Sequence, residues 1–201
     1  MESKAYGKGI TMGKRKHDVQ TEIPFSERLN ENMERLKAVY SDCADVVFHE
    51  FLIGEETRAA LIYIEGLSDA DELAEHVLVP LQRECTRDDT LAGIRQRITA
   101  PNIKPVASAG ETVAEISGGN PVLIVDGQSE GLSVGLNKWE KRNIEEPAAE
   151  SVLRGPREGF IESLRTNTAL LRRKLRSPKL KIRMFSVGTG TVTQVAVAYM
   201  D

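Results

Sequence analysis

Cysteine is nearly absent from this chain of 201 residues, with only Cys43 and Cys85 present. Two isolated thiols give neither a disulfide framework nor metal-ligand spacing, so they are expected to be buried or neutral thiols and fit a reducing compartment. Histidine is as sparse, with His17, His49 and His76 lying far from any other ligand at zinc-site spacing. No Ser-His-Asp set or Cys-His dyad can be assembled from neighbouring motifs, and no metal or cofactor is expected. Long apolar runs are missing too. The longest are short segments such as Ala59 to Ile64, well below the ~18 residues needed to cross a bilayer. The first residues lack the apolar centre of a signal peptide. The chain as given therefore reads as soluble, and as something other than an enzyme.

With 40% hydrophobic and 28% charged residues the chain can bury a core, as one domain or two small ones. Residues 1–23 mix Lys4, Lys8, Lys14, Arg15 and Lys16 with three glycines and read as a flexible tail. Order is expected from Pro24, with Ser26 capping a helix that carries Leu29, Met33, Leu36 and Tyr40 on one face. Val46 to Ile53 and Arg58 to Glu65 read as a hairpin. Ser68 then starts a helix that Pro80 should kink or end. A helix over Leu91 to Ile98, a connection through Pro101 and Pro105, and a helix over Thr112 to Ile116 stopped by Gly118-Gly119-Asn120 follow. Val122 to Val125 and Leu132 to Leu136 form a second hairpin, closing a first lobe over residues 24–138.

Residues 139–153 read as a linker. Beyond it, over residues 154–201, a Gly-Pro turn opens a basic helix from about Pro156. Phe160, Leu164, Leu171 and Leu175 form its apolar stripe, with Arg165, Arg172, Arg173 and Arg176 largely outside it. From Arg154 to Arg183 ten Lys/Arg stand against two Glu, a local balance of +8 in a chain of net charge −3. A hairpin, Leu180 to Val187 and Val192 to Met200, ends the chain. Helix, strand, Gly-containing turn and strand thus occur twice, Phe51-Leu-Ile-Gly54 with Tyr63-Ile-Glu65 paralleling Phe185-Ser-Val-Gly188 with Tyr199-Met-Asp201. The expected fold is mixed α/β, two small lobes each with a hairpin-containing sheet packed by helices, the second lobe apparently truncated.

The stretch Arg154-Gly-Pro-Arg-Glu-Gly-Phe160 and Leu164-Arg-Thr-Asn-Thr-Ala-Leu-Leu-Arg-Arg173 closely resembles the signature of the GerA family, the A subunits of bacterial spore germinant receptors. Ala60-Leu-Ile-Tyr-Ile-Glu-Gly-Leu67, Val122-Leu-Ile-Val-Asp-Gly127 and Trp139-Glu-Lys-Arg-Asn-Ile-Glu-Glu-Pro147 extend the resemblance in the same order. Stage V sporulation protein AF shares the pattern. The resemblance implies the soluble N-terminal domain of a membrane receptor, taking part in nutrient-triggered germination through signal coupling or ligand sensing. It further implies B and C subunits as partners, a place at the spore inner membrane facing the core, and two lobes like those of bacterial substrate-binding proteins, with membrane helices further on.

The motif residues Arg154, Gly155, Pro156, Arg157, Glu158, Arg165 and Asn167 are the candidate binding or interface site. Free N–H groups at a helix start, with Arg154 and Arg157 beside them, could hold a carboxylate or phosphate of a nutrient or anion ligand. Ion pairing within the protein or between subunits ranks ahead of that, with Glu145, Glu146 and Glu158 as sequence-near partners for the arginines. Glu65 and Asp126, at the ends of apolar strands, read as turn formers with solvated carboxylates. Gly188-Thr-Gly-Thr-Val-Thr193 precedes a strand and lacks the lysine of a phosphate loop, so it reads as a hairpin turn. The uncovered edge of Val192 to Met200 predicts self-association. An assembly module without ligand binding is the alternative function. An anion- or nucleic-acid-binding protein using the Arg-rich helix is a weaker one, and no nucleic acid is expected.

Overall fold

The computed structural model describes residues 23–54, 56–83, 88, 90–137 and 159–201. In chain order the elements are α1 (Leu29–Val39), β1 (Val46–Ile53), β2 (Thr57–Ile64), α2 (Ala70–Leu73), a π-helical turn (Ala74–Leu78) and α3 (Val79–Arg83). They continue with α4 (Leu91–Arg97), β3 (Ile103–Val106), α5 (Ala109–Ser117), β4 (Val122–Val125), β5 (Gly131–Val134), α6 (Leu164–Lys174), β6 (Leu180–Val187) and β7 (Thr193–Met200). The fold is mixed α/β with two antiparallel sheets, one of five strands in the order β1-β2-β4-β5-β3 and one formed by β6 and β7.

Alternation along the central strands explains the layering. Ala60, Ile62 and Ile64 of β2 join Val122 and Ile124 of β4 on one face, under Leu29, Met33 and Leu36 of α1 and Val113 and Ile116 of α5. Ala59, Leu61, Leu123 and Val125 point the other way, into Leu73, Val77, Leu81 and Ile94 of the opposite helices. A strand covered on both faces must be apolar at every position, and Val122-Leu-Ile-Val125 is buried throughout.

Several local expectations shift for identifiable reasons. Helix α1 begins at Leu29, because the Leu29 N–H donates to Asp126 Oδ1 at 2.8 Å and so finds its cap 97 residues away. Asp69, whose side chain accepts from the Asp71 N–H, caps α2 in place of Ser68. Pro80 does not end its helix. Proline displaces the carbonyl four residues earlier, here His76, and the π-helical turn holds that carbonyl where the Thr99 N–H donates to it at 3.2 Å. The Pro101–Pro105 stretch contains strand β3, with Pro105 opposite Leu132. It is the edge strand, where a missing N–H is tolerated.

The largest correction concerns α6. Its helical residues begin at Leu164, capped by Ser163, so Phe160 precedes the helix and is 67% exposed. Thr168, Ala169 and Arg172 form the buried face, while Leu175 is exposed. The apolar stripe expected to face the core lies off that face. Arg172, expected outside it, is among the most buried large side chains described. Helix α6 and the hairpin that follows it sit against the five-stranded unit at the point where β1 begins, and α1 and α6, both of 11 residues, each lead into a hairpin of two eight-residue strands.

Candidate functional site at the junction of β1 and α6

Two motif segments converge here, residues 60–67 and 164–173. The turn Glu65-Gly66 after β2 touches α6 so closely that a Cβ on Gly66 would lie 2.9 Å from Ala169 Cβ and 3.3 Å from the Arg165 carbonyl oxygen. Gly66 also has φ of 81°, in the left-handed region that favours glycine. Glycine is therefore required twice, for the turn and for the approach of the helix. Arg165 Nη2 reaches Glu65 Oε1 at 3.1 Å, with the arginine side chain 66% exposed. This is a rim contact.

Beneath the rim lies a different kind of pair. Arg172 Nε donates to Asp45 Oδ2 at 2.7 Å and Nη2 donates to Oδ1 at 2.8 Å, with side-chain exposures of 2% and 1%. The third guanidinium nitrogen, Nη1, donates to the Ser177 carbonyl at 3.1 Å, tying down the exit from α6. Asp45 also accepts from the Glu65 N–H through its own carbonyl at 2.9 Å, so it joins the start of β1, the end of β2 and α6. Burial works against the charge on Arg172, but the hydrogen bonds and charge of Asp45 outweigh it and hold the guanidinium pKa above its ordinary value.

The hairpin has its own anchors. The Ala44 N–H donates to the Ile182 carbonyl at 2.8 Å and the Ile182 N–H to the Asp42 carbonyl at 2.9 Å, a short parallel pairing around Cys43. Lys181 Nζ donates to the Val39 carbonyl at 2.9 Å, placing a cation at the negative C-terminal end of α1. Beside these anchors lies an open groove of about 480 Å³ lined by Lys37, Tyr40, Phe48, Met184 and Phe185. Burial pushes the Tyr40 phenol well above its usual pKa, and its hydroxyl donates to the Val113 carbonyl at 3.3 Å.

Of the sequence-predicted site residues, Arg154, Gly155, Pro156, Arg157 and Glu158 lie outside the described residues, as do the suggested partners Glu145 and Glu146. Asn167 is an internal clamp. Its amide accepts from the Ile161 N–H at 2.8 Å and donates to the Ile161 carbonyl at 2.7 Å, fixing the approach to α6. Asp45 and Arg172 were not singled out as partners in the sequence. The available signal was the pair of small residues Thr168 and Ala169 one turn before Arg172, which marks that side of the helix as the closely packed one. Asp126 is likewise more than a turn former, since it caps α1. With Arg172 buried and Arg165 paired, the basic helix presents less free cationic surface to nucleic acid than its composition suggests. Among the described residues no cluster of three His, Cys, Asp or Glu is placed to hold a metal ion, and no helix is long and apolar enough to cross a membrane.

A family model described as Bacillus/Clostridium GerA spore germination protein matches residues 34–201. The membrane protein YfkQ of Bacillus subtilis (strain 168) is 37% identical over 180 residues, covering 89% of this chain and 35% of that protein. Spore germination protein B1 of the same organism is 35% identical over 183 residues, covering 86% of this chain and 36% of that one. Stage V sporulation protein AF is 30% identical over 144 residues, 70% of this chain and 29% of its own length. The chain thus spans about a third of the length of these relatives. Among solved structures, the N-terminal domain of the A subunit of the Bacillus megaterium spore germinant receptor GerK3 superposes with a TM-score of 0.69 at 25% identity, covering 89% of this chain and 66% of that one.

Proposed function

Since the chain belongs to the GerA family of spore germination proteins, we propose that it acts as the N-terminal region of a germinant receptor A subunit. In this reading it takes part in nutrient-triggered germination by coupling a signal, or sensing a ligand, within a membrane receptor complex. The observation that carries the proposal is the fold match to an A-subunit N-terminal domain over 89% of the chain. B and C subunits are the proposed partners, and the proposed place is the spore inner membrane with this region facing the core. The role needs no catalytic chemistry: a structural signal requires surfaces that move together, and the Asp45–Arg172 junction links the five-stranded unit to α6 and its hairpin.

A second reading, an assembly module without ligand binding, is favoured by the exposed apolar side chains of the hairpin, Phe185, Val195, Val197 and Tyr199. Removing the gene from the spore-former that carries it tests the first reading. Spores should lose their response to a particular nutrient set and regain it when the intact gene is restored; an unchanged response to every nutrient would overturn the proposal. Titrating the chain with amino acids, sugars and inorganic anions separates sensing from assembly, since an assembly module gives no saturable shift in its melting temperature.

A further inference from the structure

Helix α6 has little with which to fix its own position. Of its residues only Ala169 enters the apolar cluster on that face of the sheet, and the leucines at 164, 171 and 175 are not among its buried residues. The close contact is Ala169 against Gly66, two positions with almost no side chain. Packing selects a register through ridges that fit grooves, and a contact of this kind supplies neither. A rotation of α6 by one residue, about 100° with a rise of about 1.5 Å, could keep a small residue near Gly66.

The buried ion pair has the selectivity that the packing lacks. A guanidinium meets both oxygens of a carboxylate in one plane and one orientation, and here Nε and Nη2 each take a separate oxygen of Asp45 while Nη1 holds Ser177. Any other rotation of α6 strands two charges without solvent. We propose that Asp45 and Arg172 are positioning residues, whose pair specifies the single seat of α6 and the β6–β7 hairpin on the five-stranded unit while contributing little net adhesion. Buried pairs of this type are close to neutral against well-packed apolar replacements, yet severe to break from one side. The inference stands on geometry alone and is independent of any role in germination.

Hydrogen exchange on Asp45→Leu/Arg172→Met, on each single substitution and on Arg172→Lys tests it. The single Leu and Met variants should melt well below the parent, each leaving a buried charge alone, and the double variant should recover most of the loss. The Ala44 and Ile182 amides, which form the hairpin's backbone anchor, should nevertheless exchange about tenfold faster or more in the double variant, with the β2 and β4 amides unchanged. Arg172→Lys, which keeps the charge and loses the fork, should show the same local loosening. Parent-like exchange at Ile182 in the double variant would show that the packing already fixes the seat. A double variant as unstable as the singles, or one that does not fold, would show that the pair supplies adhesion. Either result overturns the proposal.

Discussion

Substituting Gly66 by alanine perturbs two separable quantities. The backbone there has φ of 81°, a conformation that costs an L-residue roughly 1–2 kcal/mol. The new methyl would also meet Ala169 Cβ at 2.9 Å and the Arg165 carbonyl at 3.3 Å, both fixed to α6, and forced overpacking costs about 1–3 kcal/mol. The expected total is about 2–5 kcal/mol, measured by urea unfolding of the parent and variant. Gly127 provides the control, because it has φ of 80° with nothing within 4 Å of an added Cβ. Gly127→Ala should therefore show only the backbone cost, about 1–2 kcal/mol. Ala169→Gly should relieve part of the damage in the Gly66→Ala background, although alone it weakens the helix by about 1 kcal/mol. Equal losses at Gly66 and Gly127, or strict additivity of Gly66→Ala with Ala169→Gly, would refute the claim that the helix rests on this glycine.

Other expectations follow from the same contacts. Asp126→Ala removes the cap on the Leu29 N–H and should cost about 0.5–2 kcal/mol in thermal or chemical unfolding, with faster exchange in the first turn of α1. Arg165→Ala breaks a pair whose arginine is 66% exposed, so stability should change by only about 0–1 kcal/mol, screened further by salt. Tyr40 is buried with its phenol pKa raised, so the folded state holds that proton more tightly than the unfolded chain. Its contribution is complete below the unfolded pKa of about 10 and falls as pH rises above it. Unfolding measured from pH 9 to 11 should be less pH-dependent in Tyr40→Phe, and identical slopes would contradict the assignment.

The sequence foretold what local patterning controls. Short runs rich in apolar and β-branched residues mark β1, β2 and β4, and three- and four-residue spacing marks α1, because in each case one or both faces meet a continuous apolar layer. Strand β3 escaped that logic: Pro105 argues against a strand until the topology reveals an edge. The cap on α1 could not be seen locally either, since Asp126 belongs to a turn far along the chain. For α6 the reasoning from apolar periodicity chose the wrong side, since Arg172 outranks the leucines once Asp45 offers a matching fork. Arg165 and Asn167 were legible as motif residues, but their partners, Glu65 and the Ile161 backbone, were set by tertiary contact and by the bend before Ser163. Sequence proximity pointed Arg165 at neighbouring glutamates, whereas the folded helix brings it to Glu65, 100 residues earlier in the chain.

One measurement addresses both the proposed role in germination and the buried Asp45–Arg172 junction. Spores carrying Arg172→Lys in the otherwise intact gene should be compared with parental spores and with spores carrying Arg165→Lys, at matched protein levels, for the nutrient-triggered fall in optical density. The Lys at position 172 keeps the charge but loses the two-point grip on Asp45, whereas the pair at position 165 is an exposed rim contact. Arg172→Lys should slow or abolish the response and Arg165→Lys should leave it parental, as coupling through the Asp45–Arg172 junction requires. A parental response from Arg172→Lys, with the hairpin amides shown to be loosened, would contradict it.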